Sequence, residues 1–125
     1  MKTLTAMVVD TNMNRIEVKE INDDIHDFYK IIGCECFDIA RRQIGGKRYD
    51  IICDDIGLWK EDPIITAINP FNMADYLVGN LIIVKSKGPE LDSLTSEDII
   101  RIFSHSATYT TEEGGAGRIA VMIGS

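Results

Sequence analysis

A chain of 125 residues, 45% hydrophobic and 26% charged, has the make-up of one globular domain that buries a core without disulfides or metal, and it excludes disorder over most of its length. A formal net charge of −7 disfavours a binder of the phosphate backbone, which carries a basic face, so nucleic acid is not the expected partner, although Arg41-Arg42 with Lys47-Arg48 form a local basic patch. No apolar run reaches the roughly 18 residues of a membrane span, and three cysteines, an odd number without a signal-peptide pattern, predict a reducing cytoplasm.

Thr3 to Asp10 is β-rich through Leu4, Met7, Val8 and Val9, and Thr11 to Asn14 is a polar break. Arg15 to Ile21 then sets Ile16 and Val18 against Glu17 and Lys19, which predicts a β-hairpin. Asn22 reads as the cap of the next element, with Asp23 and Asp24 in the first turn, where the helix dipole favours carboxylates. Ile25, Phe28, Tyr29 and Ile32 recur at helical spacing, so a short amphipathic helix is expected to end at Gly33, with His26 beside its apolar stripe.

Cys34 to Ile44 alternates loosely, and Gly45-Gly46 is a hairpin turn signal. Arg48 to Gly57 follows as Arg-Tyr-Asp-Ile-Ile-Cys-Asp-Asp-Ile-Gly. Tyr49, Ile51 and Cys53 alternate with Asp50 and Ile52, a buried strand that runs into a turn at Asp54-Asp55-Ile56-Gly57 and is the expected structural centre. Leu58-Trp59 continues past the turn, and Lys60 to Pro63 ends regular structure. Ile64 to Met73, interrupted by Pro70, predicts a loop with one helical turn or a short strand. Leu81 to Val84 is the continuous apolar run of a central strand covered on both faces, closed by a turn at Lys87-Gly88-Pro89.

Leu94 to Ile99 holds the clearest local signal: Thr95 as cap, Asp98 as the returning acid of a capping box, and Leu94 stapled onto Ile99. The helix is predicted over Ser96 to Ser104, with Ile99, Ile100, Ile102 and Phe103 on its buried side and His105 at its C-terminal end. From Ala107 to Ser125 a threonine- and tyrosine-bearing stretch faces Arg118 to Ile123 across a glycine-rich tip, which suggests a closing hairpin. The fold class is therefore α+β: one domain over 1–125, a mainly antiparallel sheet with two short helices packed on it.

The chemistry of a catalyst is not evident in these residues. Asp54-Asp55 is the nearest carboxylate pair, and a turn explains it; Ser104-His105-Ser106 lacks the rest of a triad. Cys34-Glu35-Cys36 with Cys53 would need a fourth ligand to hold zinc, so apolar cysteines are expected and neither metal nor cofactor. Two stretches have binding chemistry beside a plainer reading. Gly115 and its neighbours, followed by Arg118, offer backbone amides and a guanidinium to a phosphate, or simply form a hairpin tip. Trp59, Phe71 and Tyr76 can stack on a base while Asn69 and Asn72 read its polar edges, or the aromatics can pack in the core.

Taken together, the helix ending at Gly33, the Tyr49 to Leu58 strand and turn, Tyr76 to Val84, and Leu91 to Ile99 resemble a small domain of unknown function found in phages and mobile elements of Firmicutes. That family has an "IICDEEG" strand and turn, a "GT-apolar-IV" strand and an "SLTDEDI" helix start, and the likeness covers residues 1–105 with 106–125 left as an extension. Its Leu-Pro-x-Asn stretch is displaced here, at Asp62-Pro63 and Asn69-Pro70. The resemblance implies a non-enzymatic accessory protein that opposes host immunity from the cytoplasm of a bacterial cell. One route is to sequester a nucleotide-derived signal. That route implies a homo-oligomer with pockets between protomers, Arg41, Arg42 and Arg118 on phosphates and aromatics on bases. The other is to occlude a host defence protein through an acidic or apolar patch.

Overall fold

The computed structural model describes residues 2–57, 60, 62–110 and 117–125. Two sheets and two helices account for them. The larger sheet is built from β1 (Thr3–Asp10), β2 (Arg15–Asn22), β3 (Phe37–Ile44), β4 (Lys47–Asp54) and β7 (Leu81–Lys87), in the order β2-β1-β7-β4-β3, with β8 (Glu90–Asp92) hairpinned onto the end of β7. All its pairings are antiparallel. The smaller sheet runs β6-β5-β10-β9, from β5 (Ile65–Ile68), β6 (Tyr76–Val78), β9 (Ser106–Tyr109) and β10 (Arg118–Met122). Its β5–β10 pair is parallel.

The middle strand is β7, not β4. Leu81, Ile82, Ile83 and Val84 are all fully buried, and alternate residues feed opposite faces of the sheet. On one face Leu81 and Ile83 join Met7, Val9, Tyr49 and Ile51 from neighbouring strands, Ala67 and Val121 from the smaller sheet, and Leu94 and Ile102. On the other, Ile82 and Val84 cluster with Leu4, Ala6, Val8, Ile52, and Phe28 and Ile32 of α1 (Ile25–Ile32). Burial of a side chain such as Phe28 or Ile32 contributes about 1.5–3 kcal/mol, more than the propensity of an eight-residue helix supplies.

Local chemistry sets the boundaries. Asn22 stays paired with Thr3 in β2, so the cap of α1 falls to Asp24, whose carboxylate accepts from the His26 backbone N–H. Gly33, at φ 75°, ends the helix in the left-handed conformation. The β3–β4 hairpin turns through Gly45 and Gly46, both at positive φ, as a two-residue loop between paired Ile44 and Lys47 requires. Cys34 and Cys36 precede β3; Cys36 is exposed and Cys34 half-buried, so of the three thiols only Cys53 has the burial expected of an apolar cysteine.

The second helix, α2 (Ser96–Ser104), carries the predicted capping box, with Thr95 Oγ1 accepting from the Asp98 N–H and Asp98 accepting from the Thr95 N–H. Its inward side differs from expectation. Asp98 and Ile102, four residues apart, are buried, and Ile99 packs partly against the same cluster, while Ile100 and Phe103 lie exposed. Leu94, just before the cap, shares that cluster with Ile99.

Two three-residue strands, β6 and β8, were not predicted, and the Ile64 to Met73 stretch resolves into β5 followed by an Asn69-centred turn. The tail pairs as an antiparallel β9–β10 hairpin. The outer edge of β3 is blunted: its Ile39 N–H is capped by the Asp38 carboxylate, the Arg41 carbonyl by Arg42, and the Gln43 carbonyl by the Gly124 N–H.

Candidate functional site

Asp50 interrupts the apolar run of β4. Its neighbours Tyr49, Ile51, Ile52 and Cys53 are buried hydrophobics, and Asp50 itself is only 2% exposed. Strand register places it between Arg41 on β3 and Val84 on β7. A buried carboxylate costs several kcal/mol unless charge pairing and hydrogen bonds compensate it. Here Arg41 Nε lies 3.4 Å from Oδ1, yet Oδ1 makes no hydrogen bond among the described residues. Arg41 is itself 65% exposed along its side chain, so solvent screens its attraction.

This acid, paired with Arg41 but short of hydrogen bonds among the described residues, lines a cleft of about 590 Å³, a size suited to a small organic ligand. Ile39, Ala40 and Arg41 contribute the β3 side, and Ser86, Pro89 and Leu91 come from the β7–β8 hairpin. Apolar side chains, the Asp38 and Asp50 carboxylates and the Arg41 guanidinium thus converge on one space. Its stability cost is measurable. Asp50→Leu is expected to raise unfolding free energy in urea by roughly 1–4 kcal/mol, because leucine suits the Ile52 and Val84 surroundings and leaves only an exposed arginine unpaired. A destabilised variant would show that the Arg41–Asp50 pair holds the fold.

A second charged constellation is closed rather than open. Asp98 is fully buried and accepts from Tyr49 Oη at 2.7 Å, Lys47 Nζ at 3.0 Å, Arg101 Nη1 at 3.1 Å and the Thr95 N–H at 2.8 Å, with Lys85 Nζ 3.2 Å away. Burial pushes its pKa up, but the hydrogen bonds from the Thr95 backbone, Tyr49 and Lys47 outweigh burial and hold the carboxyl well below its ordinary range. Burial and the bond to Asp98 push the Tyr49 hydroxyl the other way, up to about 12. Every acceptor position is occupied, so this node joins α2 to β4 and β7 and has little left for a ligand.

The sequence-nominated residues are dispersed. Arg41 and Arg42 are successive strand residues and face opposite sides of β3; Arg42 Nε donates to Asp75 at 3.0 Å. Asn69 accepts from the Phe71 and Asn72 N–H groups and lies 3.5 Å from Asp75, while Asn72 accepts from Ala74, so both asparagines shape their own turn. Phe71 projects into solvent at 81% exposure, and Tyr76 is half-buried at an acidic hollow with Asp38, Asp54 and Asp55, of which Asp38 also borders the Asp50 cleft. Arg118 donates through Nη2 to the Thr11 carbonyl at 2.7 Å, which anchors β10 to the β1–β2 turn. Trp59 and Gly115, with the rest of the glycine-rich tip up to Ala116, lie outside the described residues.

Of the nominated residues, Arg41 and Arg42 border the cleft, Arg41 with its guanidinium beside Asp50 and Arg42 with its guanidinium directed to Asp75 instead. Asp50, Ser86, Pro89 and Leu91 were missed. The available signal was an aspartate inside Tyr-Asp-Ile-Ile-Cys, an ionisable group where a buried strand wants a hydrocarbon. Asp54 is legible as a turn residue, since it accepts from the Ile56 N–H at 3.1 Å. Cys53 is buried, and burial pushes its thiol up to about 11, so it stays protonated at neutral pH.

Residues 1–107 match a domain of unknown function (DUF3846), and the chain belongs to that family. No curated protein and no solved structure matches the chain. No helix among the described residues is long and apolar enough to cross a membrane.

Proposed function

We propose that this DUF3846 member is a non-enzymatic accessory protein of a phage or mobile element that binds and sequesters a nucleotide-derived signal of its bacterial host. The observation that carries the reading is Asp50: a buried carboxylate without a hydrogen bond on Oδ1 among the described residues, beside Arg41, on a cleft of nucleotide-compatible size. Groups held at a cost to stability mark places where a ligand supplies the missing partner. Arg41, exposed beyond its Nε, is placed to meet a phosphate, and Ile39 and Leu91 to pack on a ring.

A panel of mononucleotides, cyclic nucleotides and cyclic ADP-ribose isomers, followed by thermal unfolding, tests this. A ligand at 100 times its Kd stabilises by about 2.7 kcal/mol, a shift of several degrees in Tm. Heating the complex should return the ligand unchanged; an altered product would make the protein an enzyme. The absence of a shift with every member of the panel would remove the sequestration reading.

Occlusion of a host defence protein is the second reading, and exposed apolar side chains favour it. Phe71 and Met73, at 81% and 65% exposure, lie on the β5–β6 loop, and Ile100 and Phe103 form a short stripe on α2. Phe71→Ser with Met73→Ser should abolish co-purification of such a protein without changing the melt.

A further inference from the structure

We propose that β3 is an interface strand: its outer edge pairs antiparallel with β3 of a second copy of the chain, about a two-fold axis at Ala40, and joins the two larger sheets into one. The inference stands on the chemistry of the edge and holds with or without a nucleotide in the cleft. β3 is the last strand of its sheet, and Ile39 on it is 41% exposed. The two-residue turn at Gly45-Gly46 makes Ile44 and Lys47 a hydrogen-bonded pair. By alternation Arg42, Ala40 and Asp38 then bond to β4, while Ile39, Arg41 and Gln43 turn their backbone groups outward.

In antiparallel pairing about Ala40, Ile39 of one chain lies opposite Arg41 of the partner subunit, and both are outward residues. They exchange two N–H···O=C bonds, and symmetry gives two more. Two of the groups involved are held meanwhile by side chains of the same strand. The Asp38 carboxylate accepts from the Ile39 N–H at 2.9 Å, and Arg42 Nη1 donates to the Arg41 carbonyl at 2.9 Å. The Arg41 N–H and the Ile39 carbonyl carry no such cap among the described residues. Gly124 keeps the Gln43 carbonyl, so the ladder stops short of Gln43.

Charge complementarity points to a second copy rather than an unrelated strand. The same register sets Asp38 opposite the partner's Arg42, twice, with alanine between, and opposite charges in facing positions stabilise a sheet. Once the ladder forms, both side chains are released from their caps and meet each other. Asp38 lacks a cation of its own: it shares a hollow with Asp54 and Asp55, and Lys60 is held by Asp54. Arg42 keeps Asp75 through Nε and turns Nη1 to the partner's Asp38. On the other face Arg41 keeps its own Asp50, 3.4 Å away, and lies beside the partner's Ile39, so the two clefts open next to each other along the joined edge.

Sedimentation equilibrium of the full chain without ligand, over a dilution series, tests the pairing. The mass of two chains is expected at the concentrated end. Ile39→Pro removes an N–H that faces away from β4, so it should melt near the parent yet weaken the dimer by about tenfold or more through two lost bonds. Asp38→Arg and Arg42→Glu each set like charges opposite one another and should each be monomeric, whereas an equimolar mixture of the two should form a heterodimer with both ion pairs restored. A parent that is monomeric at every concentration would overturn the inference, as would a dimer that Ile39→Pro leaves intact. A mixture of the folded charge variants that stays monomeric would overturn the pairing about Ala40.

Discussion

Replacement of Asp98 by alanine is expected to destabilise the protein by about 3–5 kcal/mol, a large share of the roughly 5–15 kcal/mol available to a domain of this kind. The acid is fully buried and receives hydrogen bonds from Lys47, Tyr49, Thr95 and Arg101, with Lys85 in ion-pair range. Its removal leaves the buried Tyr49 hydroxyl without this acceptor and three cations around one position without a counter-charge. Thr95→Ala removes only the cap and should cost about 1 kcal/mol, so the difference between the variants isolates the network from the capping box. Urea unfolding measures both, and a loss below about 1 kcal/mol for Asp98→Ala would mean that solvent screens the cluster as it does a surface pair.

The same node sets a pH window. Asp98 has a lowered pKa in the folded state, so its contribution is complete above the unfolded value near pH 4 and is lost as pH falls below it, where the unfolded chain binds the proton first. Tyr49 runs in the opposite sense. Its pKa is raised from 10.0 to about 12, so its contribution is complete below pH 10 and disappears as pH rises toward 12, where the unfolded phenol ionises first. The loss of stability between pH 10 and 12 should therefore be smaller in Asp98→Ala, which lacks one cause of the Tyr49 shift. An unchanged alkaline limb in that variant would count against the coupling.

What could be read from the sequence had its cause within a few residues. The Thr95–Asp98 capping box, the Gly45-Gly46 turn and the four-residue run of β7 each follow from adjacent side chains, and the structure contains all three. What could not be read depends on distant partners. Lys47 and Tyr49 reach Asp98 from about fifty positions earlier, and β10 meets β5 in parallel across a similar interval. Three-residue strands such as β6 and β8 are too short to show a period. In α2 four apolar residues among five consecutive positions leave the buried face undetermined; the cap chose it by directing Asp98 inward, which put Ile102 below it and turned Ile100 and Phe103 out. Arg41-Arg42 looked like one patch, but a strand sends such neighbours to opposite faces, and only Asp75, far along the chain, reveals the role of the second.

Aspartate at position 51 should abolish cooperative folding, although the neighbouring position already carries an aspartate. The contrast lies in what each side chain faces. Asp50 lines an open cleft beside Arg41, whereas Ile51 points to the opposite side of the sheet, is fully buried, and pairs with Ile83 and Ala40 within the cluster that holds Tyr49, Ile102 and Val121. The substitution forfeits about 1.5–3 kcal/mol of burial and adds the several kcal/mol of an unpaired buried carboxylate. Their sum approaches or exceeds the whole stability of a typical domain. Ile51→Val, by comparison, should cost about 0.5–1.5 kcal/mol and keep a sharp transition. Circular dichroism melts decide the matter: a cooperative transition in Ile51→Asp within a few degrees of the parent would mean that this face of β4 is not the closed side of the sheet, and that the distinction between the core at Ile51 and the cleft at Asp50 fails.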